Sequence, residues 1–484
     1  MIDAPEIIPS TFQPALRGEH LVQTETDGAG TRPCQRAYFA LFATYIILGV
    51  GARLLGWWYG DAIWFVWAAR HVLDNSFDLY SLHLAPELAP PIGITYSYTP
   101  LLAVLVAPFV AAADALQLGD EGAYRAMALP LIVLDVVAMQ ELRRLVTSWR
   151  PAVDQRFLFL GIAISLFLTS FLSATAYRGH VEGLVLLFIL LTLRFLPRNL
   201  ILAGLFAGLA LSAKHTTALF ALLPIGLVML SGGRTIDREG EPDVLRPQKL
   251  RRAWRDTSIW AGIALTVFAA FLAPPLVRNP DAVYYAFVTL PNRLVSFGPG
   301  LTHWIDRVLA ALLKPADFIT VRPLLLSISN LFVVALPTLL MLYVIVRARA
   351  RKQPFGLVDV RLIGLIAFAL VANLVLAKWV SEHYYPLPLA MVFVWDMLRV
   401  TRPGPRRGPL TLNWDNFPWV GVGAAIAYKS LTQLDASTFP SIGISSQSWL
   451  GDAVLFVLFA ALAGLMWRGL EVPDNRPGAQ ERDV

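Results

Sequence analysis

The stretch from Leu200 to Leu230, LILAGLFAGLALSAKHTTALFALLPIGLVML, is apolar except for a polar turn at its centre. The turn holds Lys214 and His215 and separates two apolar runs, near 200–214 and 217–231. A helix needs about 20 apolar residues to cross the hydrocarbon core of a bilayer. Each run has 15 residues, somewhat fewer than this, so the stretch predicts two short membrane helices joined by a turn, which carries a cation and an imidazole to one membrane face.

The composition of the whole chain agrees with a membrane protein. Of its 484 residues, 56% are hydrophobic and only 15% are Asp, Glu, Lys or Arg, whereas soluble domains carry roughly 25% charged residues. This balance excludes a soluble globular enzyme and a disordered protein, and the lone Cys34 excludes a disulfide-stapled one. The basic residues behind the net charge of +6 lie between apolar runs, so they predict orientation in a membrane rather than nucleic-acid binding.

Apolar runs recur along the chain and define the candidate spans. They lie near 38–56, 99–116, 123–140, 157–176, 181–196, 200–214, 217–231, 258–276, 323–346, 362–377, 384–398, 418–429 and 450–467. The run near 99–116 is interrupted by Pro108 and ends at Asp114. We therefore interpret that run as a juxtamembrane or re-entrant segment.

Basic clusters orient the chain, because positive charge favours the cytoplasmic side. The clusters lie at 143–156, 234–255, 347–352 and 399–407, and all fall inside only when the run near 99–116 does not cross. The prediction is an all-α polytopic integral membrane protein with about 12 transmembrane helices and cytoplasmic termini. We expect a multi-pass cell (inner) membrane protein of a bacterium, with an uncleaved first run that begins near Tyr38.

This topology divides the chain into four parts. We predict a cytoplasmic tail over 1–36, a transmembrane module with a catalytic first loop over 37–276, a second transmembrane module over 277–468 and a cytoplasmic tail over 469–484. The second module carries an extracytoplasmic loop over 277–322. The extracytoplasmic face collects most of the acidic, His and Tyr residues that border the runs, so function is expected there.

Asp61 is the first carboxylate on that face and follows the aromatic cluster Trp57-Trp58-Tyr59. Aromatic belts mark the membrane interface, and a partly desolvated carboxylate at that depth can take a proton from a hydroxyl nucleophile. The alternative is a helix N-cap, because Asp is a favoured capping residue and the pattern from Ala62 to Val72 is helical.

Further polar residues border the runs on the same face and predict a site for a donor phosphate or sugar. Lys and Arg are natural phosphate partners, although interface anchoring explains each cation singly. The candidates are Arg70, Arg178, His180, Glu182, Lys214, Lys378, His383 and Tyr384.

Two features concern the membrane itself. Asp135 lies inside the apolar run from Leu131 to Met139, where an ionisable residue indicates either a functional site or a helix-packing partner. Tyr96, Tyr98 and Pro100 lead into the run near 99–116 and predict a groove for lipid tails.

The first extracytoplasmic loop resembles that of one known family, GPI mannosyltransferase I. That loop has an Asp-x-Asp, an Ala-Ala-Arg helix, a Pro-Tyr turn and Thr-Tyr-x-Tyr-Thr-Pro-Leu-Leu. The corresponding segments here are Asp61-Ala-Ile-Trp-Phe-Val-Trp-Ala68-Ala69-Arg70, Asp78-Leu-Tyr80 and Thr95-Tyr96-Ser97-Tyr98-Thr99-Pro100-Leu101-Leu102. Later motifs are similar in the same order: Arg178-Gly179-x-x-Glu182, Ala203-Gly204 through Lys214, and Lys378 through Tyr384.

The wider group is the GT-C glycosyltransferases, which include the bacterial polyprenol-phosphate-mannose-dependent mannosyltransferases of family 87. The resemblance implies a GT-C-like fold and an inverting enzyme that moves a sugar, mannose in those relatives, from a polyprenyl-phosphate donor to a lipid or glycan acceptor. It implies Asp61 as the catalytic base. The implied partners are the donor, the acceptor and membrane lipids, with no nucleic acid.

Two positions depart from the family. Tyr59 stands where the family has its first Asp, so a paired-carboxylate metal site is not implied; we predict no cofactor and leave a divalent metal open. His180 stands where the family has Asn in the Arg-Gly-Asn turn, which leaves the identity of the sugar open.

Two other classes of function stay open: a polyprenyl-linked lipid flippase or transporter, for which Asp135 is the main candidate residue, and a catalytically inactive membrane scaffold.

Overall fold

The computed structural model describes residues 28–55, 62–80, 98–151, 153–169, 171–177, 179–232, 247–289, 300–351, 353–377, 384–400, 418–438 and 449–471. All regular secondary structure in these segments is helical, which confirms the prediction of an all-α protein. The first ten helices are α1 (Gly28–Leu55), α2 (Ala62–Leu73), α3 (Pro100–Ala115), α4 (Gly119–Ala126), α5 (Leu129–Trp149), α6 (Gln155–Leu168), α7 (Glu182–Phe195), α8 (Leu200–Ala213), α9 (His215–Leu230) and α10 (Pro247–Arg278). The others are α11 (Pro280–Tyr284), α12 (Leu301–Leu312), α13 (Pro315–Ala350), α14 (Val360–Leu376), α15 (Pro386–Val400), α16 (Trp419–Thr438) and α17 (Trp449–Glu471).

Within these segments, five helices are long and apolar enough to cross a membrane. They are Gln35–Leu55 in α1, Gly119–Trp149 formed by α4 and α5 together, Gln248–Arg278 in α10, Ser327–Ala350 in α13 and Ala453–Leu470 in α17. Shorter apolar helices accompany them, among them α8, α9 and α14. The chain is therefore a helical protein of the membrane type, as its composition predicts, and the count of about 12 spans stays a prediction.

The predicted run near 157–176 is not one continuous helix. α6 ends at Leu168, and the chain continues as a π-helical segment, Leu172–Tyr177. The Thr169 hydroxyl donates to the Ser165 carbonyl, a back-bond that often bends helices. Single π-turns frequently occur at functional sites, and this one leads directly into the turn before α7.

The run near 99–116 forms α3, which has 16 residues. At 1.5 Å per residue it is about 24 Å long, shorter than the hydrocarbon core of about 30 Å. α3 begins at Pro100 and contains Pro108. α2 packs against it, and the rings of Phe65 and Tyr98 meet at 5.0 Å where the two helices begin.

Small residues let the helices approach closely. A β-carbon built on Gly208 of α8 would lie 2.6 Å from the Ala264 carbonyl oxygen of α10, so the two backbones are in direct contact. Glycine at such positions is typical of packed membrane helices. Gly161 of α6 likewise lies against the ring of Phe393 of α15, so helices of the two predicted modules pack on each other.

The helices carry two polar sets to opposite ends of the bundle. At the first, which we name the Arg194 end, Arg194 donates to Glu141 at 2.7 Å and the guanidinium of Arg143 lies 4.2 Å over the ring of Tyr38. The second, the Lys214 end, holds Lys214 and Glu182. α7 runs from Glu182 past Arg194 to Phe195, so these two residues and the two ends are separated by about 18 Å.

Candidate functional site

A glycine turn positions the first part of the Lys214 end. Gly179 has φ +73, the left-handed region that glycine adopts at no steric cost. A β-carbon there would lie 2.9 Å from Met127 Sδ and 3.7 Å from Ala62 Cβ. The beginning of α2 and the α4–α5 junction therefore press against this turn, and His180 and Glu182 beyond it are buried.

Lys214 interrupts the apolar stretch between α8 and α9. Its backbone, at φ −155 and ψ 90, is not helical, so the chain turns there as the sequence predicts. The Lys214 ammonium donates to Glu182 Oε1, and both side chains are buried. The ring centroid of Tyr384 lies 4.1 Å from Lys214 Nζ, close enough for a cation–π interaction. Three predicted site residues from distant parts of the chain are thus in contact.

The start of α3 lies beside this ion pair. Thr99 Oγ1 donates to the carbonyl oxygen of Ser212, two residues before Lys214. Tyr98 Oη lies 3.4 Å from His180 Nδ1. The predicted groove residues Tyr98 and Pro100 are therefore next to the predicted sugar-site residues, at the point where α3 begins.

Aromatic side chains extend the site toward the π-helical segment Tyr285–Thr289, which follows α11. The hydroxyl of Tyr80 donates to the Tyr98 carbonyl oxygen at 2.7 Å. The ring of Phe287 lies 5.6 Å from that of Tyr80 and 4.9 Å from the imidazole of His215. Part of the predicted loop 277–322 thus packs over the beginning of α9.

Asp135 lies directly behind Glu182. It is 1% exposed, and the hydroxyl of Tyr45 in α1 donates to its Oδ2 at 2.5 Å. Gly183, the residue after Glu182, packs against the same carboxylate. Asp135 therefore joins α1, α5 and α7. The sequence left open whether Asp135 has a functional role or packs helices together, and these contacts are of the packing kind.

Arg70 occupies a different place from the Glu182–Lys214 pair. Its guanidinium donates to Asp114 at 2.8 and 3.1 Å and to Asp120 at 2.7 Å. These bonds raise the pKa of Arg70 above its already high ordinary value, and the bond to Asp114 contributes most. In turn, Arg70 lowers the pKa of Asp114. Arg70 lies about 12 Å along α2 from Ala62. Arg70 therefore links α2 to Asp114 and Asp120 within the first loop. Its role in donor binding stays a prediction.

Five predicted site residues lie outside the described residues: Asp61, Tyr96, Arg178, Lys378 and His383. Their predicted roles are therefore untested. The part of the chain that is described holds no group of three His, Cys, Asp or Glu side chains placed to bind a metal ion.

Several residues of the site escaped the sequence reasoning. Tyr45 and Ser212 lie inside apolar runs, and Phe287 lies in the segment 277–322 that was predicted as a loop, so nothing in their local sequence distinguishes them from packing residues. Gly183 carried a usable signal, since glycine in the first turn of a helix costs stability unless another group must approach closely.

Compared with known families and curated proteins, the chain matches no family model and no curated sequence.

Proposed function

We propose that the protein is a GT-C-type membrane glycosyltransferase, which moves a sugar from a polyprenyl-phosphate donor to a lipid or glycan acceptor. Mannose is the sugar that the resemblance favours. The chain crosses the inner membrane of a bacterium about 12 times, with both termini in the cytoplasm and the Lys214 end at the extracytoplasmic face.

One observation carries this proposal. Described residues from four of the resembling motifs, which are far apart in the sequence, lie together at the Lys214 end, whereas Arg70 of the Ala-Ala-Arg helix lies elsewhere, on Asp114 and Asp120. Tyr98 lies beside His180, Lys214 binds Glu182, and Tyr384 lies over Lys214. Packing of unrelated interface anchors would not require these motif residues to contact one another, whereas a shared substrate site would.

The proposed reaction assigns the base to Asp61. Asp61 is bonded to Ala62, and Ala62 packs against the Gly179 turn of the site. The Asp61 carboxylate takes the proton from an acceptor hydroxyl, and the hydroxyl oxygen forms a bond to the anomeric carbon of the donor sugar. The bond from that carbon to the phosphate oxygen breaks on the opposite face. Polyprenyl phosphate leaves with the bonding electron pair, and the configuration at the anomeric carbon is inverted.

The leaving group is an anion, so its departure needs positive charge rather than a proton donor. The predicted cations are Arg178, Lys214 and Lys378. Because Lys214 is already paired with Glu182, we assign the phosphate to Arg178 and Lys378. The lipid tail lies along the groove that begins at Tyr98 and Pro100. The loop 277–322 covers the acceptor.

A transfer assay on the purified protein tests the proposal. Reconstituted protein receives radiolabelled polyprenyl-phosphate-mannose and a membrane lipid extract as acceptor, and label in the acceptor fraction is counted. We expect transfer by the wild type and none by Asp61→Asn. Asp154→Asn, at the N-cap of α6 beside Tyr38 of the Arg194 end, is the matched control and should retain activity, because asparagine also caps helices. Near-normal turnover by Asp61→Asn would overturn the assignment of the base.

The same preparation separates the rival functions. A flippase would move labelled donor across the vesicle membrane without forming a bond to the acceptor, and a scaffold would do neither. Asp135 is the residue that favours transport, because it is an ionisable group buried between helices. Its carboxylate, however, is held by Tyr45 and closed off by Gly183, which suits a packing role better than a moving ion.

A further inference from the structure

Four buried polar atoms at the Lys214 end have no hydrogen-bond partner among the residues that the structure describes. They are Glu182 Oε2, Ser212 Oγ, His215 Nδ1 and Thr217 Oγ1. Buried polar atoms are normally hydrogen-bonded, so a group of unbonded ones indicates a missing partner such as a ligand. Ser212, His215 and Thr217 lie within three residues of Lys214, and Lys214 binds the other oxygen of Glu182.

The beginning of α9 adds donors to this group. Lys214 occupies the N-cap position, but no side chain caps the helix. The first N–H groups of a helix have no acceptor inside it. Because Thr217 is in the first turn and is 4% exposed, an unbonded hydroxyl lies beside these N–H groups.

The charges of the described residues argue against an anion as the missing partner. Lys214 and Glu182 form one ion pair, so together they carry no net charge. Glu182 Oε2 is an unbonded carboxylate oxygen, which repels a phosphate and accepts a hydrogen bond from a hydroxyl. Serine and threonine hydroxyls both donate and accept, and a neutral imidazole does the same through its two nitrogens.

Aromatic rings flank the unbonded atoms. Tyr384 lies over Lys214, and Phe287 lies against the imidazole of His215. A few polar groups set among aromatic side chains are typical of sites for small polar ligands. The complementary ligand is neutral, carries several hydroxyls and has an apolar ring face, which describes a pyranose.

We propose that Glu182, Ser212, His215 and Thr217 bind the hydroxyls of a sugar ring, and that Lys214 positions the Glu182 carboxylate instead of binding the donor phosphate. The identification of the ligand as a sugar rests on the proposed function. Two sources have this chemistry: the sugar of the donor and a sugar of a glycan acceptor.

Direct binding tests the site without requiring turnover. Saturation-transfer NMR is recorded on the purified protein with methyl glycosides of mannose, glucose and galactose, each titrated with and without inorganic phosphate. We expect at least one glycoside to bind, with no competition from phosphate. In the pocket that we propose these four side chains form, Ser212→Ala removes a hydroxyl and Thr217→Val replaces one with a methyl group, and each change should weaken binding about tenfold.

Thr216→Val is the matched control, because Thr216 is the exposed neighbour of Thr217, and it should bind like the wild type. The absence of any glycoside binding, displacement by phosphate, or unchanged affinity in both folded pocket variants would each overturn the proposal. If the wild type binds a glycoside but transfers no sugar, the proposed glycosyltransferase function is wrong while the proposed sugar-binding site is supported.

The transfer assay identifies the source of the sugar. A raised KM for the polyprenyl-phosphate donor in Thr217→Val assigns the pocket to the donor sugar. A raised KM for the acceptor assigns it to the acceptor sugar.

Discussion

Gly183, in the first turn of α7, packs directly against the carboxylate of Asp135 in α5; a methyl group at Gly183 would overlap Asp135 Oδ1 and lie 3.1 Å from its Cα. Because Glu182 precedes Gly183, this contact sets how closely the Glu182–Lys214 pair approaches α5. A buried contact inside the bundle thereby positions the residues at its end.

The first prediction is that Gly183→Ala destabilises the protein. The new methyl group must displace a buried carboxylate and the α5 backbone, and overpacking of this kind costs typically about 1–3 kcal/mol. The measurement is the thermal unfolding of the detergent-solubilised protein. Gly262→Ala in α10 is the control, since nothing lies within 4 Å of a β-carbon there, and alanine is favoured over glycine in a helix by roughly 0.5–1 kcal/mol. Equal melting temperatures for the two variants would contradict the packing argument.

The second prediction concerns the hydrogen bond that Asp135 accepts from the Tyr45 hydroxyl. Tyr45→Phe keeps the ring and removes the donor to Asp135 Oδ2, which is buried. Leaving that oxygen unpaired should lower the free energy of unfolding by about 1–3 kcal/mol. Tyr343→Phe, at a tyrosine that is 52% exposed, should change stability little. If both variants melt like the wild type, the Tyr45–Asp135 bond contributes nothing measurable.

The third prediction is that Glu182 and Lys214 act as a unit. Lys214→Met leaves the Glu182 carboxylate buried without its cation, and breaking a buried pair in this way costs about 3–5 kcal/mol. Adding Glu182→Gln removes the isolated charge, so the double variant should be more stable than Lys214→Met alone. Glu121→Gln breaks an exposed pair with Arg125 and should cost at most about 1 kcal/mol. A double variant less stable than Lys214→Met would show that the two side chains contribute independently.

Much of the fold could be predicted from hydropathy alone, because lipid and water impose different side chains. The apolar runs correspond to helices, and the break at Lys214 falls where a cation interrupts the stretch from Leu200 to Leu230. The split after Leu168 was missed, because a Thr169 hydroxyl that bonds its own helix does not lower hydropathy.

The site was predictable only in part, for a similar reason. Charged and aromatic residues at the ends of apolar runs, such as Glu182 and Tyr384, stand out in a sequence. Ser212 and Thr217 do not, because small hydroxyls inside a helix are common and acquire meaning only when their neighbours leave them unbonded. The carboxylate partners of Arg70 are 44 and 50 residues away, and periodicity does not reveal such contacts.

The fourth prediction is a pH dependence of the first loop. Arg70 lowers the pKa of Asp114 from its ordinary value of 3.8, so the pair stabilises the folded state above that value and loses this effect as the pH falls below it. Asp114→Asn should therefore lower the melting temperature at pH 7, by a small amount because the pair is partly exposed. The difference from the wild type should shrink as the pH falls below 3.8 and vanish below the lower pKa that Asp114 has in the folded state. A difference that persists at lower pH would mean that the charge on Asp114 is not its cause.

The last prediction places α12 in the membrane interface. Two of its polar residues are bonded inward: Thr302 donates to the Leu376 carbonyl oxygen at the end of α14, and Asp306 binds Arg322, five residues before the candidate span that begins at Ser327. These bonds hold α12 near the level at which that span enters the membrane. Another side, about 110° around the helix, is apolar and exposed along one stripe, formed by Leu301, Ile305, Val308 and Leu312. Such a helix buries its apolar face at the boundary between headgroups and acyl chains.

Spin labels test the depth of α12 in lipid vesicles. In a Cys34→Ser background, a label at residue 308, on the apolar stripe, should be relaxed more strongly by oxygen than by a water-soluble nickel complex, because oxygen concentrates in the hydrocarbon. A label at residue 307, which lies about 100° around the helix from residue 308, should show the reverse. Equal accessibility of both labels to the nickel complex would mean that α12 lies free in water, and the apolar stripe would then need another partner.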